Sequence, residues 1–204
     1  MLIRFLLFTL CLAAAPLQAQ PPVILVFGDS LAAGYGLPQG RGWVDLLQDK
    51  LAAEGLDHRV VNASISGETT LGGRNRIGAA LERHRPAIVI LELGANDGLR
   101  GQPLAALRDN LTTMVRASRR SGARVLLIGM RIPPNYGQDY TRKFHAAFTD
   151  VARSERVPLV PFLLEGFSDK RELFQPDGIH PNEQAQPRIV ATVWKALRPL
   201  LQGS

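Results

Sequence analysis

Five short runs of β-branched and aliphatic residues punctuate the chain: Val23–Phe27, Arg59–Asn62, Ala87–Leu93, Arg124–Gly129 and Val157–Val160. Several are apolar almost throughout, the pattern of strands covered on both faces rather than on one. Between them the apolar positions change period. Trp43, Leu47 and Leu51 recur every four residues, as one helix face does. Leu104, Leu107, Leu111 and Met114 keep the helical spacing, as do Tyr140, Phe144, Phe148 and Val151. Ile189, Val190, Val193, Trp194 and Leu197 mark a last helix. The stretch Gly73–Arg85 is a weaker helix, with Ile77, Ala80 and Leu81 on one face. Alternation of strands and helices predicts an α/β fold: a five-stranded parallel sheet between two helical layers. No internal repeat or linker interrupts it, so residues 20–204 read as a single domain.

The segment before that domain has a different pattern. Arg4 is followed by an apolar, uncharged run from Phe5 to Ala15, and Leu17-Gln18-Ala19 then offers a small residue at a cut. The run is too short to span a bilayer as a helix, and the layout is that of a secretory signal peptide. Residues 1–19 are therefore expected to be removed, leaving Gln20 first and the protein periplasmic or secreted. The only cysteine, Cys11, lies in that segment. The remaining chain is expected to use neither a disulfide nor a thiol nucleophile.

Basic residues outnumber acidic ones, 24 to 18, for a net charge of +6. The arginines are scattered on helices, as at Arg116, Arg119, Arg120 and Arg124, and read as solvated faces rather than a nucleic-acid stripe. No nucleic-acid partner is expected. The excess charge is compatible with transient contact with anionic lipid head groups, and a monomer is expected.

Open parallel sheets bind ligands at the carboxyl ends of their strands. Four polar, turn-rich clusters fall there. Gly28-Asp29-Ser30 follows the first run, Asn62-Ala63-Ser64-Ile65-Ser66-Gly67 the second, and Gly94-Ala95-Asn96-Asp97-Gly98 the third. Asp177-Gly178-Ile179-His180-Pro181 comes after the fifth. Taken singly these residues are unremarkable. Ser30 suits a helix cap, Asn62 and Asn96 suit turns, and Gly67 suits a positive φ. Brought to one edge they supply a nucleophile, Ser30, a base, His180, and an acid, Asp177, able to orient that base. The backbone N–H groups of Ser30 and Gly67 and the amide of Asn96 then supply oxyanion donors. Asp29 and Asp97 read as supports for the loops. His58, His84 and His145 sit beside charged or helical surface positions.

Competing chemistries lack their fingerprints. No G-x-S-x-G elbow occurs. Gly34 and Gly36 begin a dinucleotide-like loop, but Gln39 stands where its third glycine belongs. There is no phosphate-binding G-x-x-x-x-G-K-[ST], and no H-E-x-x-H or His/Cys cluster, so neither a cofactor nor a metal is expected.

The four clusters, in this order, resemble the SGNH or GDSL hydrolase superfamily. Gly28-Asp29-Ser30-Leu31 matches its first block, Gly67 the second, Gly94-Ala95-Asn96-Asp97 the third and Asp177-Gly178-Ile179-His180-Pro181 the last. The stretches VVNASISGET, LELGANDGLRG, PPNYG and DGIHPNEQAQP are similar to the bacterial thioesterase/protease/lysophospholipase group. The resemblance spans the whole chain after residue 19. It implies a flavodoxin-like sheet, a Ser30–His180–Asp177 triad, oxyanion donors at Ser30, Gly67 and Asn96, and activity on short to medium acyl esters and thioesters. Glu68 and Thr70 depart from the usual Asp-Thr-Ser, and Leu71–Arg76 is more glycine-rich and basic than expected. Leu31, Ile65, Leu71, Ile132 and Pro133 are expected at an acyl groove, joined by Leu37 and Pro134. These apolar residues favour an acyl ester over a carbohydrate acetate. An intact triad argues against a non-catalytic binding protein of the same architecture.

Overall fold

Strands that must be hidden on both faces need helices above and below them, and the chain supplies both layers. The computed structural model describes residues 20–202; the leader expected over residues 1–19 lies outside the described residues. The strands are β1 (Val23–Gly28), β2 (Arg59–Asn62), β3 (Ile88–Glu92), β4 (Arg124–Ile128) and β5 (Leu159–Val160). All pairings are parallel, in the order β2-β1-β3-β4-β5. This is the flavodoxin-like order. Every residue of β1 and β3 is buried, whereas β2 at one edge is half-exposed. The near-continuous apolar runs thus belong to the centre of the sheet.

The helices are α1 (Ser30–Ala33), α2 (Trp43–Ala53), α3 (Thr70–His84), α4 (Ala95–Leu99), α5 (Leu104–Arg120), α6 (Gln138–Glu155) and α7 (Gln186–Leu201). Right-handed crossovers that move in opposite directions along a sheet place their helices on opposite faces. The β1-to-β2 crossover carries α2, which packs against α7. The crossovers toward β3, β4 and β5 carry α3, α5 and α6, which pack in that sequence. One apolar cluster runs through all three layers.

Three departures from the sequence reading matter for function. The weak helix begins at Thr70 rather than Gly73, because the Thr69 side chain caps it by accepting from the Gly72 N–H. Its buried face is then Thr70, Gly73, Ile77 and Leu81, and Leu71 falls outside that face. The short helices α1 and α4 replace what read as turns after β1 and β3. His58 is buried at the foot of β2 rather than on the surface.

The chain leaves β1 toward β2 on one side and returns to β3 on the other. The sheet's switch point therefore lies between β1 and β3, where a crevice forms at the carboxyl ends. Ser30 follows β1 directly and Asn96 follows β3 by a few residues.

Candidate active site

The turn after β1 is fixed from below. A Cβ at Gly28 would lie 2.5 Å from Oε2 of Glu92 and 2.8 Å from its carbonyl oxygen, so only glycine fits there. Asp29, not Ser30, is the cap of α1: its Oδ1 accepts the Leu31 N–H at 3.0 Å. Ser30 is thereby the first helical residue, and its hydroxyl is left free of capping. Trp43 secures the other end of α1 by donating its indole N–H to the Leu31 carbonyl at 3.0 Å.

The segment from Gln175 to Pro181 brings His180 to that hydroxyl. The Gln175 N–H donates to the His180 carbonyl at 2.8 Å, and the Gly178 N–H to the Gln175 carbonyl at 2.9 Å. Asp177 Oδ1 accepts the backbone N–H groups of Ile179 and His180, at 2.9 and 3.0 Å. Its Oδ2 lies 2.7 Å from His180 Nδ1. His180 Nε2 lies 2.9 Å from Ser30 Oγ. A carboxylate can only accept, so Nδ1 carries the ring proton and Nε2 is left to accept the Ser30 O–H. The Tyr35 ring packs on the imidazole, with centroids 4.6 Å apart. Gln175 ties the two loops together by donating its amide to the Tyr35 carbonyl at 2.7 Å.

The other strand-end clusters close the crevice. Gly67 has φ of +79°, a left-handed conformation that favours glycine. Its loop is held by Arg76, which donates to Glu68 at 2.6 Å and to the Ala63 carbonyl at 2.7 Å and lies over the Phe27 ring. Asp97 accepts from the backbone N–H and the hydroxyl of Thr70, joining this loop to the one after β3. Asn96 donates its amide to Asp29 Oδ2 at 3.2 Å. One amide hydrogen is thus anchored and the second is available to a bound group. Among the described residues, no acceptor is paired with the backbone N–H of Ser30 or of Gly67. Ser30, Gly67, Asn96 and His180 all line the same cavity.

The electrostatics divide in two. Burial alone would raise Asp177, but the hydrogen bonds from the His180 ring and from two backbone N–H groups outweigh it and hold the carboxyl at about 2. Asp29 is fully buried, and burial pushes it up to about 6 against the hydrogen bonds from Leu31 and Asn96. Glu92 lies beneath it, also fully buried, and accepts the Asp29 N–H at 3.3 Å. Burial, and then the neighbouring Asp29 carboxyl, drive Glu92 well above the ordinary range.

The cavity has a volume of about 620 Å³, within the range of small-molecule sites. Leu31, Ile132, Pro133 and Pro134 line it. Ile65 and Leu71 do not: they are 50% and 58% exposed and lie outside its walls. Leu37 also lies outside, beside a much smaller pocket. The apolar wall comes instead from the segments after β4 and β5 and from the last loop, through Met130, Phe162, Leu164, Phe174 and Ile179. The sequence reading did not assign a lining role to these, nor to Tyr35. Met130 and Phe162 each follow a strand end by two residues, and that position was the available signal. Among the described residues no group of three or more His, Cys, Asp or Glu side chains is placed to hold a metal.

The model of the GDSL-like lipase/acylhydrolase family matches residues 26–187. Esterase TesA of Pseudomonas aeruginosa is 50% identical over 200 residues, covering 97% of this chain and 100% of that protein. Thioesterase 1/protease 1/lysophospholipase L1 of Escherichia coli is 40% identical over 183 residues, covering 90% and 86%. The crystal structure of the psychrotrophic esterase EstA from Pseudoalteromonas sp., inhibited by monoethylphosphonate, superposes with a TM-score of 0.84 at 43% identity. That superposition covers 89% of this chain and 99% of that one.

Proposed function

Because the chain belongs to the GDSL-like lipase/acylhydrolase family and is an ester hydrolase, we propose that Ser30 cleaves carboxylic esters and thioesters of short to medium acyl chains through a covalent acyl-enzyme. The observation that carries this reading is the unbroken relay Asp177–His180–Ser30 opening onto a largely apolar cavity.

In the first step His180 Nε2 takes the Ser30 proton as Oγ attacks the carbonyl carbon. The C=O π pair moves to oxygen. The N–H groups of Ser30 and Gly67 and the free amide hydrogen of Asn96 receive that oxyanion. Collapse breaks the bond to the alcohol or thiol, which leaves with the proton held on His180. Water then enters, gives a proton to the same imidazole, and attacks the acyl-enzyme. The second collapse frees the carboxylic acid and returns the proton to Ser30. Asp177 keeps Nδ1 as the donor and stabilises the imidazolium formed in each half.

The acyl arm lies on the β4–β5 side of Ser30, where Met130, Ile132, Phe162 and Leu164 stand. These walls suit an aliphatic chain better than a sugar, in keeping with an acyl esterase rather than a carbohydrate deacetylase. Residues 1–19, read as a leader, would deliver the enzyme outside the cytoplasm. The test is a kinetic series of p-nitrophenyl esters and matched thioesters. The expected result is a rise in kcat/KM of about tenfold or more from acetyl to octanoyl, and loss of turnover in Ser30→Ala with the fold intact. Full activity in Ser30→Ala, or turnover of acetyl esters alone, would overturn the proposal.

A further inference from the structure

Only five large hydrophobic side chains are prominently exposed among the described residues: Tyr35, Ile65, Leu71, Tyr136 and Ile179. They are not scattered. Tyr35 and Ile179 belong to the cavity wall itself. Ile65 and Leu71 flank Gly67 in sequence, and the Tyr136 hydroxyl donates to the carbonyl of Leu99, another wall residue. All five therefore sit on segments leaving the carboxyl ends of the strands, around the mouth of the cavity. Exposed apolar side chains occur singly on most proteins; a set gathered at one edge marks an interaction surface.

The charges at this rim are unbalanced. Arg74 lies one turn after Leu71 and donates to the neutral Asn110. Arg100 donates to the Gly67 carbonyl, and Arg131 lies over the Phe162 ring. Arg76 is neutralised by Glu68. Glu165 lies 3.7 Å from Arg131, whereas among the described residues neither Arg74 nor Arg100 forms a salt bridge. An apolar fringe with a surplus of arginines complements a layer of anionic head groups over acyl chains. It complements a second copy less well, because two such rims facing each other would bring together two arginine-rich surfaces.

We infer that the rim of the cavity is a docking surface for an anionic phospholipid bilayer, with Leu71, Tyr136, Ile65, Tyr35 and Ile179 entering the head-group layer and Arg74, Arg100 and Arg131 meeting lipid phosphates. Docking by this edge turns the mouth of the cavity toward the membrane. An acyl chain leaving the bilayer then reaches Met130 and Phe162 without crossing bulk water. Ile65 and Leu71, exposed at the edge rather than lining the cavity, acquire a role in this arrangement.

The test is co-sedimentation of the chain beginning at Gln20 with vesicles. Residues 1–19 must be absent, because their apolar run would insert by itself. Ser30→Ala is used throughout to prevent hydrolysis, so that a failure of the esterase reading leaves this result untouched. Binding to vesicles of equal phosphatidylglycerol and phosphatidylcholine is expected, weakening by about tenfold or more on pure phosphatidylcholine and falling as salt is raised. Leu71→Ser with Tyr136→Ser, and separately Arg74→Gln with Arg100→Gln, are each expected to weaken binding about tenfold. The thermal midpoint of each variant reports that it is folded. Equal affinity for neutral and anionic vesicles, or unchanged binding by both folded double variants, would overturn the inference. A concentration-dependent dimer abolished by Leu71→Ser with Tyr136→Ser would assign the rim to a second copy and overturn it equally.

Discussion

The segment Gln175–Pro181 and the floor formed by Gly28–Ser30 over Glu92 both hold carboxyl groups close to Ser30, yet they differ in solvent access, in sequence range and in charge. Asp177 is partly open to solvent, and its partners are residues two and three positions on. Hydrogen bonds make its ionised form the stable one. Asp29 and Glu92 are closed off from water, and the contact between them spans 63 residues. Burial makes their ionised forms costly. The first region is a local turn that stabilises the charge it needs. The second is a buried assembly that tolerates an unfavourable charge because Asp29 anchors Asn96 and caps the helix bearing Ser30. The carboxyl beside His180 and the carboxyls beneath Ser30 thus have opposite electrostatic designs within one site.

The comparison is broken first at the loop. Asp177→Asn can no longer enforce the Nδ1–H tautomer, and kcat is expected to fall by roughly 10³- to 10⁴-fold. Steady-state kinetics on an aryl ester checks this; a change below tenfold would remove Asp177 from the relay. The scaffold gives a smaller effect. Asn96→Ala deletes one oxyanion donor and should cost about 3 kcal/mol of transition-state stabilisation, on the order of 10²-fold in kcat with KM little changed. An equal rise in KM with kcat retained would make Asn96 a ground-state contact instead.

The sharpest separation of the two regions is in stability against pH. Asp29 titrates near 6 in the fold against an ordinary 3.8. The fold prefers its protonated form. That preference is fully present below about pH 4 and is lost as pH rises through 6. Asp177 is depressed to about 2, so its contribution is present above about pH 4 and is lost as pH falls toward 2. Asp29→Asn keeps an oxygen to cap α1 and is therefore expected to gain stability relative to the parent between pH 4 and 7, by up to about 3 kcal/mol before the lost acceptor for the Asn96 amide is counted. Asp177→Asn should lose stability over the same interval. Urea midpoints at several pH values read both, and parallel curves for the two variants would erase the distinction.

The same contrast governs what was legible in the chain. Asp177, Gly178 and His180 lie in a turn of a few consecutive residues, so once the four strand-end clusters are brought to one edge their spacing suggests a paired acid and base. The apolar runs announce the five strands because burial on both faces leaves few polar positions. Glu92 was hidden by that very pattern: one acid inside a run of aliphatic residues reads as an exception until β1 is seen beside it. Ile65 and Leu71, expected at the groove, fall outside the cavity wall for a related reason. Strand-end position brings a residue to the correct edge but does not say which way its side chain faces. Starting α3 at Thr70 turned Leu71 outward, while Met130 and Phe162, with weaker local signals, face the cavity.

The central claim is that Ser30, activated by His180, is the group that becomes acylated. Its most direct measurement is labelling with an alkyl fluorophosphonate, followed by intact mass and peptide mapping. The expected result is a single adduct on the peptide containing Ser30, absent from Ser30→Ala and slowed by about 10³-fold or more in His180→Ala. Labelling of Ser30→Ala at the parent rate, or an adduct on any other residue, would contradict it.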